Sequence, residues 1–277
     1  MARSRWSLLS AKSDRLLAGR VRRNRIEVEP SPLARIMPYF SLAFFLSIAF
    51  LRLASYQVAD WFRSPSPARA RETLQRWARW ACRRWHLQVI VNGAPLTQPC
   101  VYVANHRTYL DVAVLAGILP TAFLSRADVA NWPLIGIIAR KTDTLLVERE
   151  DAGARLRVAR RLLREVQQAS VVVFPEGTTT GGVLPAPFRS GVFRMVQCRN
   201  VPIVPVTLRY SDRRAYWVDD ISAGRHLLTR VLRGAPLRVE VDIGTPLAAE
   251  QFGDVAALAE ATYRAVCRPI EAHGELV

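Results

Sequence analysis

A histidine and an aspartate five residues apart, His106 and Asp111, form the first pair of side chains that could do acid–base chemistry. On a regular helix five residues correspond to about 140° of rotation, so the two would not share a face. They can meet if His106 lies on a loop and Asp111 lies in the first turn of the next helix. The stretch from Thr108 to Asp111 has the Ser/Thr-x-x-Asp/Glu pattern of a helix start and predicts Thr108 as the cap.

This placement would give the two side chains complementary roles. A carboxylate beside a helix N-terminus stays ionised, because the helix dipole favours negative charge there. Asp111 could then accept the Nδ1 proton of His106 and leave Nε2 free to act as a general base. The alternative is an ordinary loop histidine beside a capping carboxylate. A single His-x-x-x-x-Asp pattern favours that alternative, so the prediction of chemistry depends on what else the chain contains.

A second polar cluster follows the apolar run Val171–Phe174 and reads Pro-Glu-Gly-Thr-Thr-Thr-Gly-Gly from 175 to 182. Glu176 supplies a carboxylate, Gly177 allows a close backbone approach, and Thr178 supplies a hydroxyl. This composition suits the recognition of a polar headgroup. The alternative is a turn that happens to contain a glutamate.

The elements that would position these clusters are short β-branched runs alternating with helical stretches. The predicted strands are Gln88–Val91, Cys100–Ala104, Thr144–Val147, Val171–Phe174, Ile203–Leu208 and Leu237–Ile243. Helices are predicted over 156–166 and 246–272. This alternation predicts one α/β domain over residues 87–277, with a central, mostly parallel sheet flanked by helices. Both polar clusters follow a strand, which is where such sheets place their chemistry.

The segment before this domain has a different composition. Residues 1–30 are rich in Arg and Ser and predict a flexible basic arm. Residues 31–86 predict membrane-embedded and interfacial helices. The uncharged run Ile36–Leu51 is shorter than the roughly 20 residues of a comfortable span, and its flanks are both basic. It therefore favours entry and exit on one membrane face, with a tilted span or a buried helix as alternatives.

An amphipathic helix is predicted over residues 68–86, where Trp and Arg alternate with small apolar residues. This pattern is typical of a helix that lies in the lipid headgroup layer. The alternative is a helix that packs on the core and exposes a solvated arginine face.

The charge indicates a polyanionic partner. The 277-residue chain has a net charge of +16, and among its 39 basic residues only Lys12 and Lys141 are lysines. Arginine pairs bidentately with phosphate, which suits lipid headgroups, although codon bias in a GC-rich genome would also enrich it. No nucleic-acid motif accompanies the charge, so we expect an anionic membrane surface and no nucleic acid. The scattered cysteines and histidines predict neither disulfides nor a metal site.

Four segments, taken in order, resemble the blocks of the lysophospholipid acyltransferase family, whose usual member is 1-acylglycerol-3-phosphate acyltransferase. They are the NHxxxxD block at Asn105–Asp111, an apolar run ending in arginine at Leu145–Arg149, FPEGT at Phe174–Thr178, and a proline-containing strand at Val201–Val206. The stretches Pro133–Gly136 and Pro187–Gly191 are similar as well. The resemblance covers roughly residues 85–245.

The resemblance implies a mechanism. His106 would take the proton of an acceptor hydroxyl, which attacks the thioester of acyl-CoA or acyl carrier protein, and Asp111 would orient His106. No acyl-enzyme, metal or other cofactor is implied, and the chain has no G-x-S-x-G elbow. Arg149 and Glu176 would hold the acceptor headgroup. Asn105, Gly177 and Thr178, from the same blocks, complete the substrate-binding residues expected within the motifs.

One position departs from the family pattern. The third block commonly continues with an arginine thought to bind the acceptor phosphate, and Thr179 stands there. Arg126, Arg149 or Arg189 could compensate, or the acceptor could lack a phosphate monoester, as lyso-ornithine lipid does. We expect 1-acyl-sn-glycerol-3-phosphate first, giving phosphatidic acid at the cytoplasmic side of a bacterial inner membrane. The rival interpretations are a hydrolase, a non-catalytic basic membrane protein and a nucleic-acid-binding protein.

Overall fold

The computed structural model describes residues 47, 66–126, 145–147, 161, 164, 166, 168–218 and 220–274. In strand residues 125–126 and 145–147 it describes the backbone only. The predicted basic arm over 1–30 and the run Ile36–Leu51, apart from Ser47, lie outside this part of the chain. So do most of the predicted helix over 156–166 and all of residues 148–150.

Seven strands of the described residues form one sheet. They are β1 Leu87–Asn92, β2 Val101–Ala104, β3 Ala122–Arg126, β4 Leu145–Val147, β5 Val171–Val173, β6 Ile203–Tyr210 and β7 Leu237–Ile243. Their order across the sheet is β1-β7-β6-β2-β5-β3-β4. All neighbouring pairs are parallel except β6 and β7, which are antiparallel. The predicted mostly parallel sheet is therefore confirmed.

All six predicted strands are present, with ends that differ by at most two residues. The sequence did not predict β3, because Ala122–Arg126 ends in Ser-Arg and contains no β-branched residue to mark it. The predicted end of β6 at Leu208 was two residues too early, since the strand continues through Arg209 to Tyr210. The charged residue Arg209 suggested a strand end, although its side chain is buried in the strand.

Five α-helices of the described residues cover the sheet. They are α1 Pro67–Arg84, α2 Leu110–Ile118, α3 Gly191–Arg199, α4 Ala223–His226, continued by a π turn over Leu227–Val231, and α5 Val255–His273. The predicted closing helix over 246–272 becomes a 3-10 turn at Ala249–Gln251 followed by α5. The Asp254 side chain caps α5 by accepting a hydrogen bond from the Ala257 amide at 2.7 Å.

The helices divide the core into one layer on each face of the sheet. One layer joins Ala78 of α1 and Leu110 of α2 to Tyr210 of β6. The other joins Phe193 of α3 and Leu258 of α5 to the opposite face of β2 and β5. All residues of β2 and β5 are buried, so the central strands hold whatever follows them in a fixed position.

Helix α1 confirms the predicted amphipathic helix and shows what its apolar face contacts. Ala78 and Ala81 are buried, and the Arg79 Nε donates to the Gly117 carbonyl of α2 at 2.7 Å. The core-packing alternative therefore describes this face. An interfacial role for the outer, arginine-rich face stays a prediction. In the part of the chain that the structure describes, no helix is long and apolar enough to cross a membrane.

Candidate active site

Both polar clusters lie at one edge of the sheet. Strands β2 and β5 are parallel neighbours, with Val101 paired to Val171, so their carboxyl ends meet there. Strand β2 leads directly into His106, and β5 leads into Glu176. The two segments are joined by the Thr180 amide, which donates to the His106 carbonyl at 3.0 Å. The sheet thus brings together the two motifs that the sequence separates by seventy residues.

The His106 and Asp111 side chains are in direct contact. The His106 Nδ1 lies 2.8 Å from the Asp111 Oδ2. His106 is on the loop, and Asp111 is in the first turn of α2, as the spacing predicts. The predicted helix start is confirmed by its two reciprocal bonds: the Thr108 hydroxyl accepts the Leu110 amide at 3.4 Å, and the Asp111 Oδ2 accepts the Thr108 amide at 2.9 Å. The helix itself begins at Leu110, one residue after Tyr109.

Four donors surround the Asp111 carboxylate, which is fully buried. Its Oδ2 accepts the amides of Arg107 at 2.7 Å and Thr108 at 2.9 Å, besides the His106 ring. Its Oδ1 accepts the Tyr210 hydroxyl at 2.6 Å. The two backbone amides can only donate, so Oδ2 is an acceptor, and the 2.8 Å contact with His106 is satisfied by a proton on Nδ1. This tautomer leaves the lone pair on Nε2, where a base needs it.

The His106 ring is held on its face as well as at its edge. It stacks on Phe174, with ring centroids 4.1 Å apart and an interplanar angle of 18°. The side chain is 19% exposed, whereas its partner Asp111 is 0% exposed. The imidazole is thus held by two contacts and is still reachable from outside.

The Glu176 carboxylate is buried and turned toward the protein. Its Oε1 accepts the His106 amide at 2.6 Å. Its Oε2 accepts the Thr180 hydroxyl at 2.6 Å and the Ala186 amide at 2.8 Å. Both oxygens therefore hold loops together, and the predicted contact of Glu176 with a substrate headgroup stays a prediction.

Arg107 is a site residue that the sequence did not single out. Its side chain is 1% exposed, although arginine is rarely buried. The Nη1 donates to the Thr180 carbonyl at 3.1 Å and hydroxyl at 3.0 Å, and the Nη2 donates to the Val183 carbonyl at 2.6 Å. Its guanidinium also lies 5.3 Å from the Tyr216 ring centroid, within cation–π range. Arg107 thus fastens the loop after β5 to the loop after β2.

Tyr210 is the second residue that the sequence missed. It ends β6, which runs parallel to β2, so it reaches the same edge of the sheet as His106. Burial raises the pKa of the Tyr210 hydroxyl well above its ordinary value, and the neighbouring Asp111 charge raises it further. The rule that chemistry gathers at the carboxyl ends of parallel strands could have indicated it.

The remaining predicted residues of the two motifs are placed as follows. Asn105 is buried, and its amide bonds both backbone groups of Leu208, accepting at 2.7 Å and donating at 3.0 Å. Gly177 has φ +79°, and a Cβ there would lie 3.0 Å from the Arg189 guanidinium carbon. Arg189 and Thr178 are exposed beside it. The structure thus brings Arg189 to the motif, while Asn105 braces β2 against β6.

Thr179 stands where the family pattern commonly has an arginine, and its side chain makes a contact within the protein. Its hydroxyl donates to the Trp217 carbonyl, and the Trp217 amide donates to the Arg107 carbonyl at 2.9 Å. Of the other arginines predicted to compensate, Arg126 ends β3 with its backbone paired to Val147. The Arg126 side chain and Arg149 lie outside the described residues.

All four cysteines are free thiols. Among the residues that the structure describes, no cluster of three His, Cys, Asp or Glu side chains could hold a metal ion. The expectation that the reaction uses no metal or cofactor stays a prediction.

Comparison with known proteins agrees with this geometry. Residues 71–209 match the family model described as Acyltransferase. The lyso-ornithine lipid O-acyltransferase of Pseudomonas aeruginosa is 32% identical over 205 residues, which cover 71% of this chain and 78% of that protein. The corresponding protein of Rhodobacter capsulatus is 31% identical, over 64% of this chain and 69% of its own length.

A relative with a different acceptor in its name is also similar. The 1-acyl-sn-glycerol-3-phosphate acyltransferase of Neisseria gonorrhoeae is 26% identical over 39% of this chain and 43% of its own length. The crystal structure of the 1-acyl-sn-glycerophosphate acyltransferase of Thermotoga maritima shares the fold. Its TM-score is 0.65 at 17% identity, covering 87% of this chain and 96% of that one. The protein is an acyltransferase and belongs to the lysophospholipid acyltransferase family, which confirms the resemblance of the four sequence blocks.

Proposed function

We propose that this enzyme transfers a fatty acyl group from a thioester to the free hydroxyl of a lysolipid. The His106 Nε2 removes the hydroxyl proton while the oxygen attacks the thioester carbonyl carbon. The tetrahedral intermediate then expels the thiolate, which takes the proton back from the imidazolium. The ester and the free thiol are the products, and the enzyme returns to its starting state.

The observation that carries this proposal is the contact between His106 and the Asp111 carboxylate. This carboxylate is fully buried and accepts hydrogen bonds from four surrounding groups. The carboxylate fixes the tautomer that leaves Nε2 basic, and it stabilises the imidazolium formed during the reaction. General-base assistance of this kind is typically worth about 10²–10⁴-fold. Holding acceptor and donor together contributes comparably.

For the acceptor we propose lyso-ornithine lipid. The support is the loop at Thr179: its hydroxyl bonds the Trp217 carbonyl, so this position offers a headgroup no cation. The two relatives more than 30% identical described above are named for this acceptor. This proposal reverses the order expected from the sequence, in which 1-acyl-sn-glycerol-3-phosphate came first.

The second candidate acceptor is 1-acyl-sn-glycerol-3-phosphate, and one observation favours it. The exposed Arg189 guanidinium lies against Gly177, two residues before the departing position. A guanidinium there could bind a phosphate bidentately.

The donor and the setting follow from the same chemistry. Acyl-CoA and acyl carrier protein both supply an acyl thioester, and both are acidic partners for a chain of net charge +16. Both occur in the cytoplasm, so we propose that the enzyme works at the cytoplasmic side of a bacterial inner membrane. The anionic lipid surface there suits the arginine-rich chain.

The test is acyl transfer by the detergent-purified protein from labelled acyl-CoA and acyl carrier protein to a panel of lysolipids. The panel contains lyso-ornithine lipid, lysophosphatidic acid and lysophosphatidylglycerol. His106→Ala is compared with His273→Ala, which changes an exposed histidine at the end of α5. We expect product with lyso-ornithine lipid, lost in His106→Ala and kept in His273→Ala.

Other outcomes change specific parts of the proposal. Product with lysophosphatidic acid alone would keep the chemistry and replace the acceptor. Free fatty acid without ester would identify a hydrolase. Transfer that survives His106→Ala at the wild-type rate would refute the mechanism.

A further inference from the structure

We propose that Tyr210 is a positioning residue for acyl transfer: its hydroxyl completes the set of donors around Asp111 and holds the carboxylate in the plane that faces His106. This inference rests on the proposed function and assigns a role within the same site. Tyr210 does not contact the reacting atoms. It acts through Asp111, and Asp111 acts through His106.

The geometry separates the two oxygens of the carboxylate. The Asp111 Oδ2 has three donors, one of which is the His106 ring, and all come from the loop after β2. For Oδ1 the structure gives one donor, the Tyr210 hydroxyl at 2.6 Å. A carboxylate held at one oxygen can rotate about its Cβ–Cγ bond. The bond from Tyr210 fixes the second oxygen and therefore the plane.

The packing around Tyr210 holds its side chain in a fixed position. It is fully buried at the end of a central strand, and its ring packs edge-on against Tyr216 with centroids 6.3 Å apart. The contact between Tyr210 and Asp111 spans ninety-nine residues of sequence, so it ties the α2 start to β6. Strand β6 thereby sets the orientation of the catalytic pair from the side opposite to the loop.

Tyr210 also stays a donor throughout the reaction. Burial and the nearby Asp111 charge raise the pKa of its hydroxyl, so it does not ionise at any working pH. Hydrogen bonds to an ionised acceptor are roughly twice as strong as those between neutral groups. The Asp111 carboxylate must face His106 when the ring becomes an imidazolium, and the Tyr210 bond keeps it in that orientation.

The test is Tyr210→Phe, which removes the hydroxyl and keeps the ring. We expect kcat for acyl transfer to fall about tenfold or more, while KM for lysolipid and thioester each change less than about threefold. In an Asp111→Asn background the same substitution should cost less than about twofold, because its target is already gone. A merely structural tyrosine would give equal losses in both backgrounds.

The matched control is Tyr102→Phe. Tyr102 is a buried tyrosine of β2 in the same core layer, and its hydroxyl accepts the Leu96 amide at 2.9 Å, away from the site. This variant loses a buried hydroxyl of the same kind without touching Asp111. We expect its kcat to stay within about twofold of the wild type.

A second measurement needs no lysolipid substrate and so does not depend on the proposed acyl acceptor. The His106 Nδ1–H resonance of ¹⁵N-histidine-labelled protein reports the bond to Asp111 directly. It should move in Tyr210→Phe and stay in place in Tyr102→Phe. An unmoved resonance with kcat near the wild-type value would overturn the inference. Absence of transfer in the wild type would instead count against the proposed function, and the resonance would still decide the role of Tyr210.

Discussion

The segments that follow β2 and β5 each bury one carboxylate: Asp111 in the first turn of α2, and Glu176 in the loop after β5. The two carboxylates have different hydrogen-bond partners. Asp111 and Glu176 are 0% and 3% exposed, and each accepts several short hydrogen bonds. One donor to Asp111 is a histidine ring, which can change its charge. The donors to Glu176 are two backbone amides and a hydroxyl, which cannot.

Burial and hydrogen bonding are common to both carboxylates, so the partner residue is what distinguishes the carboxylate proposed to be catalytic. Both loops leave the carboxyl ends of neighbouring parallel strands, and both carboxylates are satisfied. Only the first loop places a titratable partner against its carboxylate, with the partner's other nitrogen accessible. The second loop instead uses its carboxylate to hold the backbone of His106 in place, through the amide at 2.6 Å.

The largest expected effect comes from replacing the Asp111 carboxylate by an amide. Asp111→Asn should lower kcat by about 10²–10⁴-fold, because an amide can present its NH₂ to Nδ1 and favour the wrong tautomer of His106. The measurement is steady-state acyl transfer at saturating thioester and lysolipid. A loss below about fivefold would contradict the assignment of Asp111.

The next effect tests the second loop. Glu176→Gln replaces an acceptor-only carboxylate by a group with one acceptor oxygen, so at least one of its three donors loses its partner. We expect the free energy of unfolding to fall by about 1–3 kcal/mol and kcat to fall by at most about tenfold. Chemical denaturation and the transfer assay measure the two quantities.

A different result would indicate that Glu176 binds the acceptor headgroup. If Glu176→Gln leaves the free energy of unfolding unchanged and raises KM for the lysolipid, then Glu176 contacts the acceptor. The predicted substrate role would then hold, and the loop-bracing role would not.

A smaller effect is expected where the two loops are joined. Arg107→Lys keeps the positive charge but cannot bond Thr180 and Val183 together, because an ammonium lacks the planar fork of a guanidinium. We expect about 1–2 kcal/mol of lost stability and faster limited proteolysis within residues 177–184. Arg213→Lys is the control, since Arg213 is exposed and bonds the Gly181 carbonyl of the same loop. Equal proteolysis of both variants would contradict the special role of Arg107.

The last effect appears only at high pH and concerns a cysteine of α1 in the core. Burial raises the pKa of the Cys82 thiol from its ordinary value of 9.0 to about 11, although Arg83 lowers it somewhat. Between these two values the unfolded chain releases a proton that the folded protein keeps. Stability from this group is therefore complete below pH 9 and is lost as the pH rises toward 11.

The pH effect can be isolated by substitution. The slope from one thiol is at most about 1.4 kcal/mol per pH unit. We expect the free energy of unfolding of the wild type to fall more steeply between pH 9 and pH 11 than that of Cys82→Ala. Parallel curves would show that the thiol is not protected by the core.

The sequence predicted what local patterns can encode. The β-branched runs indicated six of the seven described strands, and the bounds of β7, Leu237–Ile243, were predicted as observed. The spacing of His106 and Asp111, together with the helix-start pattern, predicted their contact. These features depend on neighbours within a few residues and on which strand ends carry polar side chains.

The rest depended on register between distant strands. Tyr210 reaches Asp111 because β6 pairs with β2 in a particular register, which no local pattern specifies. Arg107 occupies a variable position of its motif, and nothing in a chain with 39 basic residues marks one arginine as buried. The hydrogen bond of the Thr179 hydroxyl could not be predicted either, because the Trp217 carbonyl that accepts it belongs to a third segment.

The most direct test of the central claim is a side-by-side measurement of kcat and of the free energy of unfolding for Asp111→Asn and Glu176→Gln, with one thioester and one lysolipid. We predict that Asp111→Asn loses at least tenfold more kcat than Glu176→Gln. The reverse order, with kcat lost mainly in Glu176→Gln while its unfolding free energy stays at the wild-type value, would contradict the account of His106 and Asp111 as the catalytic pair.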